Sequence, residues 1–409
     1  MGKQALLFAF VLVLVTTACV DASDTSSSSL SAHVTPITTP ASPQMLRMAY
    51  VKGGNVWLWV ENGSGYPLTT TGGVTQVKIS DSGEWVAYKQ NGELWLVNTS
   101  GNPTSQLIVS NAYLAGLNPQ GDGAGQIDGY GFTRNNQSIY LTISGNGNNG
   151  RLDLFKIDLD TKMPVRMIGP GRGGTYIISP DGECLAIYYP SLQDLFCKGD
   201  IQPRHVFEFA YECEFGAHAV PDIHWSADSS GFYTVTPICD NNILHYRQRL
   251  QYVPRSGGNP QIRFEFVGWI FDQADISPNG DCLAHLVDNG DMQDLRIGCS
   301  DRVEEIYATY PKDRIGFIGW APDSVHFVFW KSEDDKVTEA MGRPLYADLT
   351  HMPVPLLSDI SQAYDITWVD SSRFLFFSNG LYVGWTDGKK SQIDNGLSRS
   401  TIYDFSPKP

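Results

Sequence analysis

Positive charge is in short supply in this chain. Lys and Arg number 29 against 44 Asp and Glu, a formal net charge of −15. A body this acidic gains nothing from a phosphate backbone, so nucleic acid is excluded as a partner. The same balance disfavours a loose electrostatic hold on anionic lipid. Long apolar runs are scarce as well. The longest, Ala5 to Val15, is too short for a stable membrane span. Catalytic signatures are missing. There is no G-x-S-x-G, no H-E-x-x-H, and no Walker or Rossmann glycine pattern in a strand–loop–helix setting. No paired C-x-x-C spacing supports a cysteine metal site.

What remains is a glycine- and aromatic-rich chain, with 40 Gly, 10 Trp, 19 Tyr and 19 Phe in 409 residues. That is a β-leaning globular composition with many turns. Its first residues read as a processing segment. Lys3 precedes the apolar run, and Thr16-Thr17-Ala18-Cys19 follows it. This resembles a bacterial lipobox, with Thr16 where Leu is usual. It implies a lipoprotein signal peptide over residues 1–18 and lipidation of Cys19. Residues 19–45 then form a Ser/Thr/Pro-rich tether that cannot bury enough apolar surface to fold. The expected location is the bacterial cell envelope, extracytoplasmic and held to the membrane by the lipid.

From residue 46 to 409 one pattern recurs. A short strand runs into a Ser-Pro-Asp-Gly-like turn, then come a strand, a gap, and a strand resembling Leu-Trp-Leu. The turns begin at Ser80, Thr133, Ser179, Ser226, Ser277, Ala321 and Val369, with an eighth start at Ser406. Their spacing averages about 47 residues, the size of a four-stranded propeller blade. Pro presets one turn angle, Asp or Asn closes the turn, and Gly accepts the positive angle. The chain starts in mid-repeat, at Met48-Ala49-Tyr50-Val51 and Val56-Trp57-Leu58-Trp59. It ends on a lone first strand, Thr401 to Phe405. Together these make one whole blade, which closes the ring and removes its open edges. The expected fold is therefore all-β: a single β-propeller of eight four-stranded blades, or seven if one irregular repeat is discounted.

The Ser-Pro-Asp-Gly turns, with Asn55-Val56-Trp57-Leu58 and Glu93-Leu94-Trp95-Leu96, resemble the repeats of TolB-type, WD-like propellers. They are similar also to the propeller domain of prolyl-oligopeptidase-type peptidases. The resemblance covers roughly Leu46 to Pro409 and implies the fold. Neither the extra N-terminal domain of TolB nor the α/β-hydrolase domain of the peptidases is expected here.

Besides Cys19 the chain has Cys184, Cys197, Cys213, Cys239, Cys282 and Cys299. An even count in an exported body points to disulfides. Cys184 and Cys282 follow their turns at the start of second strands. Cys197 and Cys299 end the next strands, directly opposite across one hairpin. This predicts Cys184–Cys197 and Cys282–Cys299. Cys213–Cys239 is the third pairing, on a common face of the ring.

First strands line a propeller's channel. One residue before each turn stand large apolar residues, such as Ile79, Trp225 and Phe405. Two and four residues before it the set is mostly polar or small. Alternation therefore aims Lys78, Asp222, His224, Asp275, Asp365 and Asp404 at the channel. They are candidate ligand-binding residues. No cofactor is called for, although His and carboxylates there could hold a divalent cation. The plainer reading is a hydrated channel. The rim loops carry the long segment Ser110 to Tyr130 and Tyr211, Phe215, His218, Trp269, Phe271, Tyr307, Tyr310 and Tyr364. These either recognise a ligand or pack their own loops.

With no catalytic module in sight, the sequence reads as a binding protein for a protein, peptide or glycan. The rival readings are a hydrolase or lyase using Asp222, His224 and Asp275, and a structural part of an envelope assembly.

Overall fold

The computed structural model describes residues 44–407 except 118–124, 145–152, 169–174, 189–191, 201, 209–222, 239–246, 268–273, 333–341, 359 and 361–362. The expected signal segment, Cys19 and residues 19–43 of the expected tether lie outside the described residues, as do Cys213, Cys239 and Asp222; Gln44 and Met45, counted into the tether, belong instead to the folded unit. Gln44–Pro409 is one compact unit. It forms eight four-stranded antiparallel sheets, the blades of a ring.

Blade 1 joins both ends of the unit. Arg47–Lys52, Asn55–Val60 and Tyr66–Pro67 supply its outer three strands, and Tyr403–Ser406 supplies the innermost. Arg47 stands opposite Ser406 and Met48 opposite Phe405. In the other blades the first strand in sequence is innermost. These inner strands are Val74–Ile79, Gln126–Phe132, Thr175–Ile178, Ile223–Trp225, Asp275–Ile276, Ile315–Trp320 and Tyr364–Trp368, for blades 2 to 8.

Burial follows from stacking. The second strands Ser138–Ser144 and Arg373–Phe377 are buried almost throughout, because both their faces meet a neighbouring blade. The outermost strands Gln261–Val267 and Lys390–Asp394 are largely exposed. The apolar side chains fall into clusters that each span two adjacent blades. Val56 and Leu58 of blade 1 meet Val77 and Val86 of blade 2. Leu375 and Phe377 of blade 8 meet Met48 and Phe405 of blade 1. The second contact closes the ring.

The turn signature has a hydrogen-bonding cause. Ser179 Oγ donates to Asp181 Oδ1 at 2.6 Å and accepts the N–H of Cys184 at 2.9 Å. Asp181 Oδ1 in turn accepts the N–H of Glu183 at 2.9 Å. Ser226 with Asp228, Ser277 with Asn279, and Thr133 with Asn135 repeat the arrangement. The fourth turn residue is left-handed. Gly83, Gly182 and Gly280, at φ of 70°, 71° and 72°, alternate with Asn136, Ser229 and Ser324, at 57°, 59° and 60°. Each non-glycine side chain accepts an N–H from the preceding blade's turn: Ser82 to Asn136, Asp181 to Ser229, and Asn279 to Ser324. At the glycines the preceding blade fills the space instead. A Cβ on Gly280 would lie 2.1 Å from the Tyr233 ring.

Two further devices act within a blade and between blades. Cys184–Cys197 and Cys282–Cys299 are disulfides between directly opposed residues. At the junction of blades 8 and 1, the buried Arg373 donates to Asp370 and Glu61, both at 2.7 Å. It also donates to the carbonyl of Gln44 at 2.9 Å. At the other end of the same strands Lys52 Nζ lies 2.6 Å from Asp394. Burial pushes the Asp370 and Asp394 carboxyls up. The hydrogen bonds and cations around them outweigh that, and both are held below their ordinary value of 3.8.

Two outcomes follow. Gly280→Ala should cost about 1–3 kcal/mol more than Gly290→Ala, because both positions are left-handed but only Gly280 is crowded. Equal losses in denaturant unfolding would contradict the packing account. Arg373→Met should cost about 3–5 kcal/mol by leaving Glu61 and Asp370 uncompensated. Carboxyls depressed in the folded state stabilise it fully above their unfolded value of 3.8 and progressively less below. Stability of the wild type should therefore fall below about pH 4, and Arg373→Met should flatten that acid limb.

Candidate functional site

A cavity of 710 Å³ opens in the channel against the inner strands of blades 1 to 5. Three of those strands line it with consecutive residues: Asp128 to Phe132, Tyr176 to Ile178, and Ile223 to Trp225. A strand that presented a face would contribute every second residue. The cavity is therefore walled by strand edges. The turns add Asp81, Arg134 and Pro180.

Of the sequence candidates, Lys78, His224 and Asp404 meet at this cavity. Asp275 and Asp365 are not among its lining residues. Asp275 belongs to blade 6, where its carbonyl accepts the indole N–H of Trp320 at 3.0 Å. Asp365 sits at a bulge with φ 50°. Its two oxygens pair with Arg399 at 3.2 and 3.3 Å. That guanidinium covers the Tyr364 ring at 4.7 Å. The hydrolase or lyase set does not assemble here among the described residues, since Asp275 is elsewhere and Asp222 is not described.

The bulge is a general device. The inner strands of blades 2, 3, 7 and 8 each shift register, between Val74 and Gln76, Ile127 and Gly129, Phe317 and Gly319, and Tyr364 and Thr367. An extra residue reverses the alternation upstream of it. In blade 3 it brings Asp128 to the cavity, a residue that counting back from the turn passes over. A glycine directly after an acidic residue in a strand is the signal that could have found it.

Each charged group has its own setting. Asp404 is buried, and its Oδ2 accepts the backbone N–H of Ile79 at 2.9 Å. It caps a backbone donor of the next blade that has no strand partner. Among the described residues, no hydrogen bond or ion pair engages Lys78 or Asp128. Burial raises the Tyr130 and Tyr176 hydroxyls far above their ordinary value, so both stay neutral. The charge of Asp404 adds to the effect on Tyr130. The indole of Trp225 donates to the carbonyl of Ile177 at 3.0 Å, pinning blade 5 to blade 4. Among the described residues, no group of three or more His, Cys, Asp or Glu is placed to hold a metal.

Tyr307 and Tyr310 are not in rim loops but in the outermost strand of blade 6, Arg302–Pro311, and Tyr364 opens the inner strand of blade 8. Tyr307 packs edge-on against Phe327 and Phe329, at 5.0 and 5.8 Å between ring centres. Tyr310 lies under Lys331. The segment after Ser110 forms a short helix, Asn111–Gly116, capped by the Ser110 hydroxyl. Tyr211, Phe215, His218, Trp269 and Phe271 lie outside the described residues. Among those described, no helix is long and apolar enough to cross a membrane.

No family model matches the chain, and no curated protein does. Solved structures do. Dipeptidyl peptidase 4 of Porphyromonas gingivalis is similar at 13 % identity and TM-score 0.52, over 78 % of this chain and 53 % of that one. A eukaryotic initiation factor is similar at 9 % identity and TM-score 0.52, over 90 % of this chain and 100 % of that one. TolB from Acinetobacter baumannii is matched at 17 % identity and TM-score 0.35, over 62 % of this chain and 61 % of that one. The fold is an eight-bladed β-propeller. At these identities the likeness shows the fold alone. The chain spans about half the length of the peptidase.

Asp404→Ala should strand the buried Ile79 N–H and cost about 1–3 kcal/mol, whereas Asp404→Asn, which keeps an acceptor, should recover most of it. Equal losses in thermal or denaturant unfolding would refute the capping role.

Proposed function

We propose that this chain is a lipid-anchored, extracytoplasmic binding protein of a bacterial envelope. Its channel cavity receives a protein segment, peptide or glycan. The observation that carries the reading is the composition of the 710 Å³ cavity. It sets the unengaged charges of Lys78 and Asp128 beside Tyr130, Phe132, Tyr176 and Trp225. Pockets of this size bind small ligands by apolar and aromatic walls with a few placed polar groups. Both side chains are exposed and not bonded to each other, so a cation and a carboxylate are available to a ligand. The anchor rests on the apolar run before Cys19, and the Ser/Thr/Pro tether after it gives the body reach from the membrane.

Two measurements test the reading. Radiolabelled palmitate should enter the wild-type chain and not Cys19→Ala, which should leave the membrane fraction. Envelope-derived peptides or oligosaccharides retained by the wild type should be lost at least about tenfold by Lys78→Ala/Asp128→Ala. Unchanged retention in a folded double variant would place the ligand elsewhere.

A further inference from the structure

The inner strand of blade 3, like that of blade 4 at Tyr176 and Ile178, brings an open backbone edge to the cavity. It pairs on one side only, with Ser138–Ser144. The N–H of Thr133 bonds the carbonyl of Ser138. Ladder bonds alternate along an antiparallel pair, so Gly131 bonds Tyr140 while Tyr130 and Phe132 turn their N–H and C=O to the cavity. Among the described residues, no side chain meets those groups. In blade 2 the corresponding donor, the N–H of Ile79, is capped by Asp404 of blade 1. The residue that stands in the same position before blade 3 is Lys78, a cation that cannot accept. Between the two open residues lies Gly131, at the channel-facing position where blades 1, 2 and 5 carry Asp404, Lys78 and His224. A Cβ built there would meet nothing within 4 Å.

We infer that the ligand of this cavity is a peptide bound in extended form, pairing as an added strand with the open edge of Tyr130 and Phe132. The inference rests on the reading of the cavity as a ligand site. It follows from spacing. An extended peptide offers one N–H and one C=O on the same edge at every second residue, the period at which blade 3 presents its own. The empty volume over Gly131 takes a ligand side chain. Asp128 and Lys78, with opposite charges, select a peptide that carries both a basic and an acidic residue.

The test uses the full-length chain and a library of end-capped hexapeptides, with a set of neutral and acidic oligosaccharides beside it. Peptides holding a basic and an acidic residue should be retained. N-methylation of a retained peptide should weaken it at least about tenfold at alternate positions and little at those between. Gly131→Val should abolish retention with an unchanged melting temperature, because its side chain enters open space. Retention of oligosaccharides but not peptides, lost in Gly131→Val, would overturn the peptide inference and leave the cavity reading standing. Retention of neither would overturn both. Uniform effects of N-methylation, or undiminished binding by folded Gly131→Val, would overturn the strand-pairing geometry. The N-methylation series decides this even if Gly131→Val does not fold.

Discussion

A four-stranded blade whose second and third strands are apolar on both faces has to be covered on both sides. Each blade of this chain meets that need by lying against two others, and the apolar clusters sit at those contacts. The arrangement is stable only if it has no first and last blade. Blade 1 solves the problem by taking its inner strand from the far end of the chain, so that Met48 and Phe405 lie side by side in one sheet. Arg373 ties the same junction through Glu61, Asp370 and the carbonyl of Gln44. Ring closure is thus a hydrophobic requirement first. The polar clamp fixes where the closing strands sit.

Closure has a cost at the centre. Inner strands pair on one side, so each brings unpaired backbone groups to the channel. At some positions a side chain from an adjacent blade answers. Asp404 takes the N–H of Ile79, and Lys89 reaches the carbonyl of Ile127 at 2.7 Å. Trp225 and Trp320 add a bond to carbonyls of the preceding blade. At blade 3 the edge of Tyr130 and Phe132 is left open. Gly129 and Gly131 leave room, Lys78 cannot accept, and a bulge pushes Asp128 forward. The cavity lies where the ring stops satisfying itself, and for that reason it is the place to seek a ligand.

The fold was legible in the sequence because its signals are local. Ser179 and Asp181 mark a turn since their side chains bond the turn itself. The register of the repeat places Cys184 opposite Cys197 because one hairpin contains both. The closing blade was legible from two half-repeats at the ends. The site was legible only in part. Counting in twos from the turn reached Lys78, His224 and Asp404. It passed over Asp128 and assigned Asp365 to the channel, because a bulge in each strand breaks the period and leaves no fixed mark on composition. Nor could counting show that Asp404 serves the backbone of blade 2, that Arg399 engages Asp365, or that Tyr307 packs against Phe327. Those partners are distant in sequence and meet only through the ring.

The central claim is that the ring is one cooperative body closed by a strand from each end. Amide hydrogen exchange in the native state tests it most directly. The account predicts that the paired amides of Arg47–Lys52 and Tyr403–Ser406 exchange only by global unfolding, at the same free energy as those of Arg373–Phe377 in blade 8. Exchange of the closing strands by a low-energy opening, with the remaining blades still protected, would contradict it.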